Sequence, residues 1–471
     1  MTGSHDGRLP PSPLDGASDT NRACSFPAVQ SDSSKLFWFP LRSQTDSLRL
    51  ILPAQPLQSI HRVTSASPQP VEPFNSAPRV LIVGGSTRAA AWSALRAGLQ
   101  PVCADLFADV DLREIADVIS PRDYPDSLAV DLAGVRSDGW FYTGALENRP
   151  DLIESLLMTA KNRGELWGTP PPALRIIRDP VRLRETLHRA GFSTLDLQVG
   201  SAPPCDGRWM QKPLHSAGGR GVRIWDEASA RLATSESVYY QRFQRGESLS
   251  ALFHASDHDL LFLGMCRSLT DSFRSNAPGP NMYCGTIGPL VASLSESSFD
   301  ATTARQSLEQ AHALAACGLR GLFGIDLIRD EYGTPWVVEV NPRYTASVEI
   351  LELASRQPLI FPPGREIDHS KTSAFSRSSS PDRSPAKRIV AKQVLYAPRK
   401  LIAPDFSSWR GTPSVWQVPI VADLPVPGSL IDATWPICTV MAEGINEAEC
   451  QQQLQARVDQ TWDRINFATT S

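Results

Sequence analysis

Gly324-Ile325-Asp326-Leu327-Ile328 and Trp336-Val337-Val338-Glu339-Val340-Asn341-Pro342-Arg343 are the stretches on which the reading of this chain turns. Both are rich in branched apolar residues, and Asp330-Glu331-Tyr332-Gly333 between them is a turn-forming set. They read as paired strands, Gly324 to Arg329 and Pro335 to Val340. Side chains alternate along a strand, so Glu339 and Asn341 share one face while Val338 and Val340 point the other way, toward a core. A hard divalent cation takes oxygen ligands, commonly one or two carboxylates together with phosphate oxygens. Asp326, Glu339 and Asn341 form such a half-shell. Arg343 follows where a planar guanidinium can hold a phosphoryl group by two parallel hydrogen bonds.

A second signal lies upstream. Trp209-Met210-Gln211-Lys212-Pro213 reads as a strand, followed by Leu214-His215-Ser216-Ala217-Gly218-Gly219-Arg220-Gly221-Val222. Glycines let backbone N–H groups close on phosphate oxygens, and Lys212 adds a point charge. No Gly-Lys-Ser/Thr follows, so this is not a Walker A loop.

Farther upstream, Val80-Leu81-Ile82-Val83, the turn Gly84-Gly85-Ser86-Thr87-Arg88, a helical stretch Ala89 to Ala97 and the strand Pro101 to Asp105 make one βαβ unit. Gly84-Gly85 lacks the third glycine of a dinucleotide fingerprint. Asp105 does stand where a ribose-binding acid would. The preferred reading is a Rossmann-like wall without a nucleotide, which leaves a nicotinamide-dependent dehydrogenase as the weaker alternative. Asp179-Pro180 opens a helix carrying Leu183, Leu187 and Ala190 on one face, stopped by Gly191. Another helix covers about 301–317.

The chain has 471 residues, about three domains' worth at ~150 residues each. Lys and Arg number 46 against 50 Asp and Glu, a net charge of −4, which argues against a dedicated nucleic-acid binder. With 41% hydrophobic residues a sizeable core is expected, and no apolar run is long enough for a transmembrane helix. Residues 1–76 are rich in Ser, Pro, Asp and Gln and read as a disordered tail, with Phe37, Trp38 and Phe39 as a local docking patch. Residues 364–388 read as a basic, Ser-rich low-complexity insert. The eight cysteines form no C-x-x-C pair and read as free buried thiols, and the N-terminus shows no signal peptide, so a cytoplasmic protein is expected.

Taken together, the Asp326–Arg343 strand pair and the glycine loop resemble the ATP-grasp superfamily across most of residues 80–355. The resemblance implies a mixed α+β and α/β architecture. A Rossmann-like domain (77–168) would precede an ATP-grasp domain (169–363, lid at about 197–240), and a C-terminal closing lobe (389–471) would follow. By position, Asp326, Glu339 and Asn341 resemble the family's Mg²⁺ (or Mn²⁺) ligands. Lys212 resembles the lysine on the ATP phosphates, and Ser216, Gly218, Gly219 and Gly221 its lid loop. Tyr239-Tyr240-Gln241-Arg242-Phe243 resembles the hinge strand that meets adenine, with Ser248 near the ribose. Arg343, with Lys212, resembles the catalytic cations. Many members carry a lysine after the residue matching Asp179; here Pro180 stands there, and Arg178 is the substitute to consider.

Thr143-Gly144-Ala145-Leu146-Glu147-Asn148 and the Asn341-Pro342-Arg343 ending resemble a group of predicted ATP-dependent carboligases related to tyramine–glutamate ligase. Val394-Leu395-Tyr396-Ala397 and the Pro-rich 423–428 stretch resemble biotin carboxylase. The implied activity is an ADP-forming Mg-ATP ligase that joins a small-molecule carboxylate to an amine or thiol through an acyl phosphate, with a role in one-carbon coenzyme synthesis conceivable. A bicarbonate-activating carboligase and a non-catalytic ATP-binding protein are the alternatives. Arg267, Arg274, Tyr283-Cys284-Gly285, Ser347 and Glu349 are candidates for the acceptor pocket. His254 and His258 form only a weak zinc candidate.

Overall fold

A computed structural model describes residues 77–159, 162–232, 237–269, 274–363, 388–409 and 414–470, all within the compact unit Glu72–Ser471. The 1–76 tail with Phe37, Trp38 and Phe39, and residues 364–387 of the insert, lie outside the described residues.

The first layer is an all-parallel sheet. Its strands are β1 (Arg79–Gly84), β2 (Gln100–Asp105), β3 (Asp117–Ile119), β4 (Gly139–Tyr142) and β5 (Glu165–Leu166), in the order β3-β2-β1-β4-β5. Helices α1 (Arg88–Arg96), α2 (Val110–Arg113), α3 (Leu128–Asp131) and α4 (Pro150–Met158) connect them. Val80, Leu81, Ile82 and Val83 are all fully buried, as expected for a strand covered on both faces. Asp105 is spoken for by the loop itself. One carboxylate oxygen accepts from the Thr87 N–H (2.5 Å) and hydroxyl (2.7 Å), the other from the Phe107 and Ala108 N–H groups. It is a turn-closing residue.

The chain then crosses α5 (Pro171–Ile177) and α6 (Pro180–Arg189); the Asp179 carboxylate caps α6 by accepting from the Val181 and Arg182 N–H groups. A small sheet follows: β6 (Leu197–Val199), β7 (Asp206–Pro213), β8 (Arg223–Asp226), the short helix α7 (Glu227–Ala230) and β9 (Val238–Arg242), ordered β6-β9-β7-β8. Trp209, Trp225 and Tyr240 fill its core.

The central sheet begins with β10 (Glu247–Ala255), β11 (Leu260–Leu269) and β12 (Gly285–Val291). After helix α8 (Phe299–Ala315) come β13 (Gly321–Arg329), β14 (Pro335–Asn341) and helix α9 (Ala346–Ser355). The C-terminal part supplies β15 (Ile389–Tyr396), β16 (Leu401–Ile402), β17 (Val421–Ala422), β18 (Leu430–Ile431), β19 (Pro436–Gly444) and helix α10 (Glu447–Thr470). The central sheet runs β14-β13-β10-β11-β12-β15-β19-β17. Thus three strands of the expected closing lobe extend the central sheet, because β15 pairs antiparallel along β12 with Ile389, Val390 and Ala391 buried.

One face of this sheet packs Leu249, Phe253, Phe323, Ile325 and Leu327 against Ala304, Ala311 and Leu314 of α8. On the other face α9 is buried between the sheet and α1, with Val348 and Leu351 meeting Ala90 and Ala94.

Within β14 the strict alternation fails. Asp326 pairs with Glu339 but Leu327 pairs with Val337, so Val338 is the extra residue of a bulge. Val337 and Val340, rather than Val338 and Val340, enter the core.

Candidate active site

β13 aims Phe323, Ile325 and Leu327 into the core beneath α8, which leaves Asp326 facing the other way beside Ser250, its partner on β10. The β14 bulge keeps Glu339 opposite Asp326 on that face. These side chains, with the end of α5, strand β7, the glycine loop and the start of α9, line a cavity of about 340 Å³. Lys212, Ser216, Gly218, Gly219, Gln241, Ser248, Asp326, Glu339, Asn341 and Arg343 all border it, as do Arg178, Ser268, Tyr283 and Ser347.

The polar side chains of the cavity fall into three hydrogen-bonded groups. The Asn341 amide donates to Asp326 Oδ2 (2.7 Å), and Asn341 Oδ1 accepts from Arg343 Nη2 (3.1 Å). Arg343 Nε donates to Glu147 Oε1 (2.7 Å). Arg178, at the C-terminal end of α5, donates from Nη1 to Glu339 Oε1 (2.7 Å) and to the Val340 carbonyl (2.8 Å). Lys212 Nζ donates to Gln241 Oε1 at 2.6 Å.

Burial, and then the facing Glu339 carboxylate, push the Asp326 carboxyl up to about 6. Burial would also raise Glu339, but the Arg178 guanidinium outweighs it and holds Glu339 below the usual carboxylate range. Burial lowers Lys212 despite the pull of Glu339 and Asp326. Asp326 and Glu339 face each other across the β13–β14 pair. Their oxygens and the Asn341 amide oxygen suit a hard divalent ion whose remaining ligands are phosphate oxygens and water. No cluster of three or more His, Cys, Asp or Glu side chains suited to a metal occurs among the described residues.

The glycine loop is seated over this cavity. The Gly218 carbonyl accepts from the Tyr283 N–H at 2.8 Å. Gly219 has φ +78°, and a Cβ there would overlap the Asn281 carbonyl oxygen. Only glycine lets the loop lie this close.

Several expected residues fall elsewhere. Gly221, Arg242 and Phe243 do not border the cavity. Gly221 closes the loop against the Pro213 ring, and Arg242 lies over the Trp209 ring at 5.5 Å. The N–H groups of Arg242 and Phe243 are already given to the Asp196 and Arg208 carbonyls, so neither is available to a base. Arg267 pairs with Glu247 and Glu447, and Arg274 with Asp459 at 3.0 Å on the surface. Glu349 is no acceptor contact: Arg88 Nη1 (2.5 Å) and Lys392 Nζ (2.9 Å) hold it in a buried ion cluster. His254 is buried against Phe361, while His258 is exposed. The seven described cysteines are free thiols.

The residues that sequence reasoning left without a role are Glu147 and Asn148, in the 3₁₀ turn Leu146–Asn148 after β4. Glu147 holds Arg343, and the Asn148 Oδ1 accepts from Arg178 Nε at 2.9 Å. Their stretch stood out by resemblance, but the partners are 196 and 30 residues away.

The profile of the ATP-grasp domain matches residues 177–347, which span the glycine loop, the β13–β14 pair and the start of α9. Residues 177–347 are an ATP-grasp domain. The whole described fold extends the likeness. An L-amino acid ligase from Bacillus licheniformis aligns at 14% identity over 81% of this chain and 97% of that one, with a TM-score of 0.60. An ATP complex of carboxyaminoimidazole ribonucleotide synthase from Aspergillus clavatus aligns at 14% identity over 83% and 100%, TM-score 0.55. Biotin carboxylase from Campylobacter jejuni aligns at 14% over 80% and 90%, TM-score 0.52. At such identities the likeness is one of fold. No curated protein matches the sequence. No helix among the described residues is long and apolar enough to cross a membrane.

Proposed function

We propose that the ATP-grasp domain binds Mg-ATP and that the protein is an ADP-forming carboxylate–amine ligase. The observation that carries this reading is the convergence of Asp326, Glu339, Asn341, Lys212 and Arg343 on one cavity beneath a glycine loop. Asp326, Glu339 and the Asn341 oxygen would hold the divalent ion, which when bound supplies charge neutralisation to the phosphates. A substrate carboxylate oxygen attacks the γ-phosphorus and the bond to ADP breaks, giving an acyl phosphate. An amine then attacks the acyl carbon, loses a proton, and inorganic phosphate leaves.

Here the chain's own work is positioning and electrostatics. Lys212 and Arg343 face the developing negative charge. The glycine loop keeps water from the acyl phosphate. Ser268, Tyr283 and Ser347 line the end of the cavity where the acceptor would lie.

The test is Mg-ATP turnover over a panel of amino acids, amines, thiols and bicarbonate, with ADP and phosphate followed separately from AMP. ADP and phosphate that appear only with one acid–amine pair support the proposal. Bicarbonate dependence would favour a carboligase, and binding without turnover a nucleotide sensor. Glu339→Ala should lower turnover by about a hundredfold or more, the scale of losing a charge-stabilising group. Undiminished turnover in the folded variant would remove Glu339 from the metal shell.

A further inference from the structure

Three parts of the molecule meet at the side chain of Asn148. It is 5% exposed and sits in a turn fixed by the Ala145 carbonyl, which accepts from the Asn148 N–H at 3.2 Å; Ala145 itself has φ +77°. Both ends of its amide are used. Oδ1 accepts from Arg178 Nε (2.9 Å), and Nδ2 donates to the Ser216 carbonyl of the glycine loop (3.1 Å). The same guanidinium is bonded to Glu339.

The orientation of this amide is dictated by its neighbours. Turned by 180°, it would set N–H against the Arg178 N–H and oxygen against the Ser216 carbonyl. With Oδ1 committed to Arg178, Nδ2 is a buried donor whose partner is present only while the loop is down. Lifting the loop takes that partner away and leaves Nδ2 to water, so the open state loses the net stabilisation of one hydrogen bond. The seated loop and the seated arginine therefore stabilise each other through one side chain.

We propose that Asn148 is a positioning residue that couples closure of the glycine loop to the placement of Arg178 on Glu339. The parallel-sheet domain thereby takes part in the nucleotide site without touching the nucleotide. This inference rests on the reading of the cavity as an Mg-ATP site.

The substitution Asn148→Asp separates the two bonds. A carboxylate still accepts from Arg178 but has no proton for the Ser216 carbonyl. The loop carries a trypsin site at Arg220–Gly221, so its closure can be read without knowing the acceptor substrate. Full-length wild-type protein and variant are digested with and without saturating Mg-ATP, and the cut at Arg220 is followed by mass spectrometry. Mg-ATP affinity is measured in parallel by calorimetry.

Mg-ATP is expected to slow the wild-type cut at least about tenfold, the scale of a hydrogen bond made only in the closed state. In Asn148→Asp that protection should fall below about threefold, and Mg-ATP affinity should fall by no more than the same factor, because closure and binding are linked. A merely structural Asn148 would instead raise cutting at tryptic sites throughout the protein, not at Arg220 alone. Protection equal to wild type would overturn the coupling, and so would increased cutting spread over tryptic sites outside the glycine loop. Failure of the wild-type protein to bind Mg-ATP would overturn both this inference and the proposed function. Should Asn148→Asp not fold, Asn148→Ala removes the same donor without adding charge and is judged by the same two readouts.

Discussion

Replacing Glu349 by Gln removes the anion at the centre of a buried ion cluster. Glu349 is 1% exposed and lies between Arg88, 2% exposed, and Lys392, 6% exposed. Arg88 keeps a second partner, because its Nε donates to Asp423 Oδ1 at 2.8 Å. The ammonium of Lys392 has Glu349 as its carboxylate partner, so it loses more. Breaking a buried pair from one side costs about 3–5 kcal/mol, since the remaining charge stays out of water. Glu349→Gln should therefore lower unfolding free energy by about that much at pH 7. The double variant Glu349→Gln/Lys392→Met should recover a large part, because removing both partners leaves no stranded charge. Burial alone would raise the Glu349 carboxyl, but Arg88 and then Lys392 hold it well below the usual range. A carboxyl lowered in the folded state stabilises above its unfolded pKa of ~4.3 and loses that stabilisation as pH falls toward its folded value. The deficit of Glu349→Gln should thus be full at pH 7 and shrink below about pH 4. Urea unfolding followed by tryptophan fluorescence at several pH values reads all three quantities. A deficit below about 1 kcal/mol at pH 7, or a double variant no better than the single, would refute the argument.

Arg178→Ala strips Glu339 of its bonded cation and should lower Mg-ATP turnover by about ten- to a hundredfold, with Arg178→Lys intermediate; steady-state kinetics decides, and an unchanged rate would leave Arg178 a structural cap. Gly219→Ala should raise the KM for Mg-ATP at least about tenfold, because a left-handed alanine costs ~1–2 kcal/mol even before the overlap with Asn281. Burial lowers the His254 imidazole to about 4, and its Nδ1 has no hydrogen-bond partner among the described residues. Histidine held neutral in the fold stabilises above its unfolded pKa of ~6.5 and loses that as pH falls toward 4, so wild type should lose about 3 kcal/mol more than His254→Leu over that window; parallel slopes in urea titrations would exclude it.

The β13–β14 pair was readable because everything that makes it is local: branched strands, a turn set whose Asp330 carboxylate accepts from the Tyr332 and Thr334 N–H groups, and polar residues at fixed spacing. The Val338 bulge was not, since Val337-Val338 offers no local reason to prefer one register. Glu349 illustrates a different failure. It follows Ser347 by two residues, and in a helix of 3.6 residues per turn that places them on nearly opposite sides. Ser347 therefore borders the cavity while Glu349 turns toward α1 and β15. Arg178, Glu147 and Asn148 derive their roles from partners in other layers, information that no window of the chain contains. The family resemblance pointed toward adenine at Arg242 and Phe243, but their N–H groups are spent on neighbouring backbone.

The order of strands in the central sheet has a consequence for synthesis on the ribosome. The parallel sheet has all its strands once Leu166 has emerged. The central sheet cannot close so early, because Gly285 pairs with Gln393, and β15 in turn pairs along β19 as far as Gly444. For the time needed to translate that interval, the edge of β12 stands open to any other strand, the situation in which nascent chains associate wrongly. A fragment cut to residues 177–347 would keep that edge open permanently. The ATP-grasp domain thus depends on the strands that follow residue 388, and fragments meant to isolate its cavity must extend through α10.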